Sequence, residues 1–357
     1  MQTLKGFFVL NPKNKELKIN LFLWGIMKLW AKFVTINKNM QFRTQMPVPK
    51  SNHPIDYNSK IVSFGSCFAE NISDKFQYFK FQNAVNPFGI IFNPVSIEKI
   101  IDKALKQKLF TDKDVFFYNE RWHSFDVHSD LNNSSKDELL ESLNAILKTT
   151  KLQISEATHI IITYGTSWVY RHIERDEIVA NCHKVPQKQF EKEILSAETI
   201  KNSIKNSIEL IHTINPDCNI IFTVSPVRHI KDGFVENQWS KANLITAIHG
   251  KLRAEHGMLN TEYFASYEIM MDELRDYRFY AEDMLHPNQV AIDYIWKRFK
   301  ESTISETAFS TMDKVENIQK SLSHRPFNPD SESHIKFELN LKEKIAKLLS
   351  QYSFMKF

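Results

Sequence analysis

The chain has 357 residues, 42% of them hydrophobic and 25% charged, which is enough apolar material for one large domain with additions. A net charge of +4, with its lysines scattered rather than gathered in a stripe, excludes a nucleic-acid binder built on a basic face. Three cysteines, Cys67, Cys182 and Cys218, are an odd number in a long chain; they exclude a disulfide framework and point to a reducing, cytoplasmic compartment.

Residues 1–39 read differently from the rest. Ile19 to Ile36 is rich in Leu, Phe, Trp and Ile, yet Lys28 and Lys32 interrupt it and leave a run of nine uncharged residues, Ile19 to Met27. A membrane span needs about 20 apolar residues, and a signal peptide needs a small-residue cleavage site, which does not follow here. Two readings remain: an interfacial amphipathic anchor with Lys28 and Lys32 one turn apart on its polar face, or an extension upstream of the natural start.

Further along, short apolar runs predict strands at Lys60–Phe64, Phe81–Val85, His159–Tyr164, Asn219–Val224 and Asn260–Phe264. Helical stretches separate them, at about Phe68–Phe79, Val95–Gln107, Lys136–Thr150, Ala197–Ile214 and Lys241–His256, the last two with apolar residues three and four apart. This alternation predicts a three-layer α/β/α sandwich around a mainly parallel five-stranded sheet. Two insertions carry aromatic residues: Val115–Val127, with Phe116, Phe117, Tyr118, Trp122 and Phe125, and Trp168–Ala180, which reads as a hairpin around Glu174-Arg175-Asp176. Such clusters serve as satellite core or, on a cleft rim, as a stacking face for a saccharide. An amphipathic helix is predicted from Gln289 to Lys300. The tail after Ser302 reads as polar to about Glu332, followed by a second amphipathic helix over Ile335–Leu349, so that residues 306–357 form a C-terminal helical extension.

The chemistry centres on two places. Gly65-Ser66 directly follows the first strand, so Ser66 sits at a strand-to-helix turn where unpaired helix N–H groups face whatever its hydroxyl attacks. A serine there also suits a plain helix N-cap. Near the other end, Asp283 and His286 lie three apart in one loop; the carboxylate can hold one ring nitrogen and leave the other free to take a proton from serine. Together they give the order Ser…Asp…His, which the geometry of a catalytic triad permits. In parallel sheets such residues gather at the carboxyl ends of strands, where Ser66, Gly89, Gly165 and Ser225 fall.

The stretch Gly65-Ser66-Cys67-Phe68-Ala69 resembles the signature of the GSCFA family, which is similar to the SGNH, or GDSL-like, hydrolases. Asn86-Pro87-Phe88-Gly89, Thr163-Tyr164-Gly165-Thr166-Ser167-Trp168, Asn181-Cys182-His183-Lys184, Val224-Ser225-Pro226-Val227-Arg228-His229 and the approach to Asp283 agree with it. The resemblance starts at about Met40, where Met40-Gln41-Phe42-Arg43-Thr44 is similar to the start of other members, and so favours residues 1–39 as an extension and 40–305 as the family domain. It implies an SGNH-like fold with flavodoxin-like strand order and a serine esterase or acyl hydrolase acting on an O-acyl ester, a saccharide being one candidate carrier. It implies catalytic Ser66, Asp283 and His286, and an oxyanion hole made by the N–H groups of Ser66 and Gly89. SGNH enzymes add an asparagine amide; here Ser167 stands in that place, and a short rotatable hydroxyl holds charge less firmly. Thr166, Asn181, His183 and Lys184 are candidates for substrate binding, the last two for an anionic part.

Other readings differ in class. Cys67 is a nucleophile if the turn is rotated, since a thiolate at a helix N-terminus is favoured, and otherwise a buried inert thiol. Cys182-His183 with His286 or Cys67 lacks the paired spacing of a zinc site, and no Gly-rich phosphate cradle exists, so neither a metal nor a cofactor is expected. The expected partner is a small-molecule or saccharide ester, with no nucleic acid, and a membrane only if residues 1–39 belong to the natural protein; the oligomeric state is not encoded legibly. An O-acyltransferase, or a catalytically weak binding or scaffold protein on the same fold, is the alternative.

Overall fold

The computed structural model describes residues 44–254 and 260–357; the expected extension over residues 1–39, and with it the membrane question, lies outside them. The central sheet is built from β1 (Lys60–Gly65), β2 (Gln82–Val85), β5 (His159–Tyr164), β9 (Asn219–Val224) and β10 (Thr261–Phe264), all paired in parallel in the order β10-β9-β5-β1-β2. This is the flavodoxin-like order, with its switch point between β1 and β5. Strands covered on both faces read as continuous apolar runs, and every residue of β5 is buried.

Alternate residues on each strand feed two different cores. Val62, Phe64, Ile160, Ile162, Tyr164, Ile220, Phe222 and Val224 face one side. There they meet α2 (Pro94–Leu105), α3 (Lys136–Glu156), α4 (Ala197–Ile214) and α5 (Phe234–Ala254). Ile61, Ile161, Ile221 and Phe264 face the other side, against α1 (Cys67–Tyr78), α6 (Gln289–Thr303), α7 (Glu306–Leu322) and α8 (Glu332–Gln351). The helices start where their sequence says they should: Ser66, Asn93, Ser135, Ser196 and Asn288 each cap a helix by accepting from an N–H two or three residues on. In α4 the buried Ile200, Ile204, Ile208 and Ile211 make a single stripe at helical spacing.

Two expectations change, and the hairpin expected over Trp168–Ala180 is found with a strand added to it. The helix predicted from Lys241 begins seven residues earlier, at Phe234, because its first two turns leave Phe234, Val235 and Trp239 exposed and so carry no apolar stripe. The polar tail after Ser302 contains α7, whose Ala308, Met312, Val315 and Ile318 are buried; interleaved Asp313, Lys314 and Glu316 mask that period in the sequence. The two insertions are antiparallel: β3 (Phe116–Tyr118) with β4 (Arg121–His123), and β6 (Trp168–His172) flanked by β7 (Glu177–Val179) and an unforeseen third strand, β8 (Phe190–Ile194). Phe116, Tyr118, Phe125, Tyr170 and Phe190 form a satellite core, with Phe116 stacked on Phe125 at 4.1 Å between ring centroids. Among the described residues no helix is long and apolar enough to cross a membrane.

Met312 is fully buried, so its packing ties α7 into the second core. Met312→Ala should lower the unfolding free energy by about 2–5 kcal/mol in a urea titration. A loss below about 0.5 kcal/mol, the range of ordinary surface substitutions, would mean that α7 is peripheral.

Candidate active site

Ser66 sits where β1 ends and α1 begins, and it is fully buried. Gly65 makes the turn at φ +137°, and a Cβ there would lie 2.1 Å from the Thr163 carbonyl oxygen, so no other residue fits. Gly165, just past the end of β5, is confined less tightly and by side chains: a Cβ would lie 2.9 Å from the Phe92 ring and 3.4 Å from the Ser66 Cβ. The loop after β2 wraps this turn. Asn86 Oδ1 accepts from the Gly65 N–H at 2.8 Å, its amide donates to Glu70 at 3.3 Å, and the Ile91 N–H donates to the Gly65 carbonyl at 3.1 Å. Asn86 is thus the structural part of the Asn-Pro-Phe-Gly motif.

Asp283 and His286 pair as expected. His286 Nδ1 lies 2.5 Å from Asp283 Oδ2, while Asp283 Oδ1 accepts from the backbone N–H groups of His286 at 3.0 Å and Leu285 at 2.9 Å. These bonds, the His286 N–H first, hold the Asp283 carboxyl down to about 2. The loop is pinned to the segment after β9 by the Arg228 N–H, which donates to the Leu285 carbonyl at 3.4 Å. Both members of the pair are about half-exposed, Ser66 is sealed, and no hydrogen bond joins Ser66 to His286 among the described residues.

The expected oxyanion donors are otherwise engaged, which corrects the sequence expectation. The Ser66 N–H donates to the Thr163 carbonyl at 3.1 Å and the Gly89 N–H to the Asn86 carbonyl at 2.7 Å. The Ser167 hydroxyl donates to the Ser240 carbonyl at 3.1 Å, and its N–H to the Ser240 hydroxyl. Thr166 Oγ1 bonds Ser240 and accepts from the Trp168 N–H, so both residues anchor α5 to the end of β5.

The Asn181–Lys184 segment also differs from expectation. Asn181 Oδ1 accepts from the His183 N–H, and His183 is buried in the satellite core with Nε2 on the Ser124 carbonyl at 2.7 Å. Burial pushes its pKa down to about 4, so at neutral pH it is uncharged and cannot attract an anion. Lys184 is exposed. Cys67, half-buried, has its thiol pushed up by burial and by Glu70, the reverse of an activated thiolate. Cys182-His183, Cys67 and His286 do not converge, and no group of three or more His, Cys, Asp or Glu side chains among the described residues could hold a metal.

Three residues at this end of the sheet carry features the sequence did not announce. Lys241 is fully buried, with Nζ 2.7 Å from both the Gly165 and Ser225 carbonyl oxygens. An amine has two N–H donors for two carbonyls, and burial brings its pKa down to about 7. Arg228 Nε and His229 Nε2 are buried without a hydrogen-bond partner among the described residues. The Val224–His229 stretch drew attention to Arg228 and His229 only through the family resemblance, and the burial of Lys241 or of single Arg228 and His229 nitrogens is decided by what packs over them.

The fold and this strand-end arrangement define a three-layer α/β protein of the doubly wound kind with a serine and a carboxylate–histidine pair at one end of its sheet. The chain belongs to the GSCFA family: the family model matches residues 60–299, and that of the GSCFA domain protein, C-terminal domain matches residues 315–357. No curated protein matches it. Among solved structures it is similar to an acetyl xylan esterase (Est2A) from the rumen bacterium Butyrivibrio proteoclasticus, at 10% identity and a TM-score of 0.34. That match covers 72% of this chain and 66% of the esterase, so the chain spans about two thirds of its length.

Asp283 should titrate with a midpoint near 2 in an NMR pH series, against about 3.9 for a free aspartate. The folded value is the lower one, so the stability it contributes is complete above about pH 4 and is lost as pH falls through about 2. Solvent screening keeps that contribution small. A midpoint near 4 would mean that the loop does not hold this geometry in solution.

Proposed function

We propose that this protein is a serine ester hydrolase acting on an O-acyl ester. The observation that carries the reading is the placement of Ser66 at a backbone-locked turn, at the same sheet end as a histidine whose Nδ1 is already held by Asp283. That pairing leaves Nε2 of His286 as the nitrogen that takes the Ser66 proton. Ser66 Oγ then attacks the ester carbonyl, and His286 returns the proton to the departing alcohol. Water, deprotonated by His286, releases the acid and restores Ser66. Ser66 and His286 come into hydrogen-bond range on substrate binding, as catalytic contacts that are long in a free enzyme do.

Exposed aromatic side chains favour a substrate with a flat apolar face. Trp239 is exposed and packs edge-on against Trp168, with ring centroids 6.2 Å apart, and Phe234 and Tyr277 are exposed on loops and helix starts beyond β9 and β10. A sugar ring stacks on such a surface through its C–H face, which favours an acylated saccharide as the small-molecule partner. The burial of Ser66 favours a second branch in which a sugar hydroxyl, rather than water, accepts the acyl group.

The test is turnover of p-nitrophenyl acetate. Ser66→Ala and His286→Ala should each lose on the order of 10⁴-fold in kcat or more, while Cys67→Ala keeps wild-type turnover. Loss with Cys67→Ala and retention with Ser66→Ala would move the chemistry to the thiol. With a sugar alcohol present, acetylated sugar forming at the expense of acetate identifies the transferase branch.

A further inference from the structure

With the Ser66, Gly89 and Ser167 donors engaged by Thr163, Asn86 and Ser240, the oxygen of a tetrahedral intermediate needs a donor from elsewhere. We propose that His229 is that donor: its Nε2–H hydrogen-bonds the oxyanion formed at Ser66. The inference rests on the esterase reading above and names a catalytic residue for it.

The placement is contiguous. The His229 ring stands edge-on to Phe92 at 5.5 Å between centroids. Phe92 in turn covers Gly165, and its carbonyl accepts from the N–H groups of Gly165 at 2.8 Å and Thr166 at 3.2 Å. Gly165 lies against Ser66, so Ser66, Gly165, Phe92 and His229 form one wall. On that wall His229 Nε2 is buried and has no partner among the described residues. A buried polar group without a partner costs about 1–3 kcal/mol, which a ligand acceptor would relieve.

The two histidines at this end are set for opposite tasks. His286 has a carboxylate on Nδ1, so it can take a proton. Among the described residues His229 has no carboxylate partner; burial, then the charges of Lys241 and His286, push it down to about 3. It therefore stays neutral in the working range, keeps one N–H, and does not compete for the Ser66 proton. With its hydrogen on Nε2, the buried nitrogen left without a partner, the ring can donate to the oxygen on which charge develops during attack. No proton is transferred in this role: the bond forms as the carbonyl oxygen gains charge and weakens as the alcohol leaves.

The experiment compares wild type, His229→Leu and His229→Gln in p-nitrophenyl acetate turnover, pH–rate profile and melting temperature. Glutamine can place an amide N–H near the position of Nε2. His229→Leu should lose about 100- to 1,000-fold in kcat with KM little changed, the usual effect of deleting one such donor, and His229→Gln should recover at least about tenfold of it. The leucine variant should melt at or above the wild-type temperature, because it removes an unpartnered buried nitrogen. The acid limb of the wild-type and glutamine profiles should coincide. Unchanged kcat in His229→Leu overturns the proposal, as does a loss that glutamine does not recover, and an acid limb that disappears with His229 would make it the base instead. A wild-type chain that turns over no ester overturns the esterase reading and this inference together, whereas wild-type turnover untouched by His229→Leu overturns this inference alone.

Discussion

The carboxyl ends of β1 and β5 meet with no side chain between them, and the site depends on that contact. Gly65 lies so close to Thr163 that a Cβ would fall 2.1 Å from its oxygen, and a Cβ on Gly165 would lie 3.4 Å from the Ser66 Cβ. The Ser66 N–H is drawn to the Thr163 carbonyl, which fixes the serine at the seam and starts α1 from its own side chain. Asn86 closes the turn from the β2 side, and Lys241 closes it from the β9 side by joining the Gly165 and Ser225 carbonyls. The seam is the switch point of the sheet, where an α/β fold opens a crevice for ligand. In this chain Phe92 covers Gly165 there, and His229 stands edge-on to Phe92.

The polar groups around the seam divide by partner. Asp283 has its carboxylate satisfied three times over, so it remains charged and orients His286. Among the described residues Lys241 has carbonyls but no carboxylate as hydrogen-bond partners, and burial works against its charge. His229 is driven neutral by burial first and then by the charges of Lys241 and His286. Two residues of the same type thus differ through burial and partners: His286 is held by a carboxylate, and His229 is buried without one among the described residues.

Much of the frame was legible because its signals are local. The strands His159–Tyr164 and Asn219–Val224 and the helix Ala197–Ile214 match the sequence reading residue for residue, since an apolar run in the first two and an isoleucine stripe behind a capping serine in the third are complete within a few residues. The Asp283–His286 pair was legible for the same reason. The oxyanion assignment was not: Ser66, Gly89 and Ser167 occupy the expected places, but their donors are committed by Thr163, Asn86 and Ser240, and Ser240 lies 73 residues from Ser167. His183 misled in the same way, because whether a histidine is a surface cation or a buried neutral ring depends on Phe116 and Phe125 packing over it. Residues defined by tertiary burial, Lys241 and His229 above all, leave no trace in periodicity or spacing.

Nucleophilicity at Ser66 is the claim on which the functional account stands, and covalent trapping reads it directly. The full chain incubated with a fluorophosphonate, digested and fragmented by mass spectrometry should carry one phosphonyl adduct on Ser66, and the same treatment of His286→Ala should give none. An adduct localised to the neighbouring Cys67, or equal labelling of Ser66 with and without His286, would contradict a serine activated by the Asp283–His286 pair.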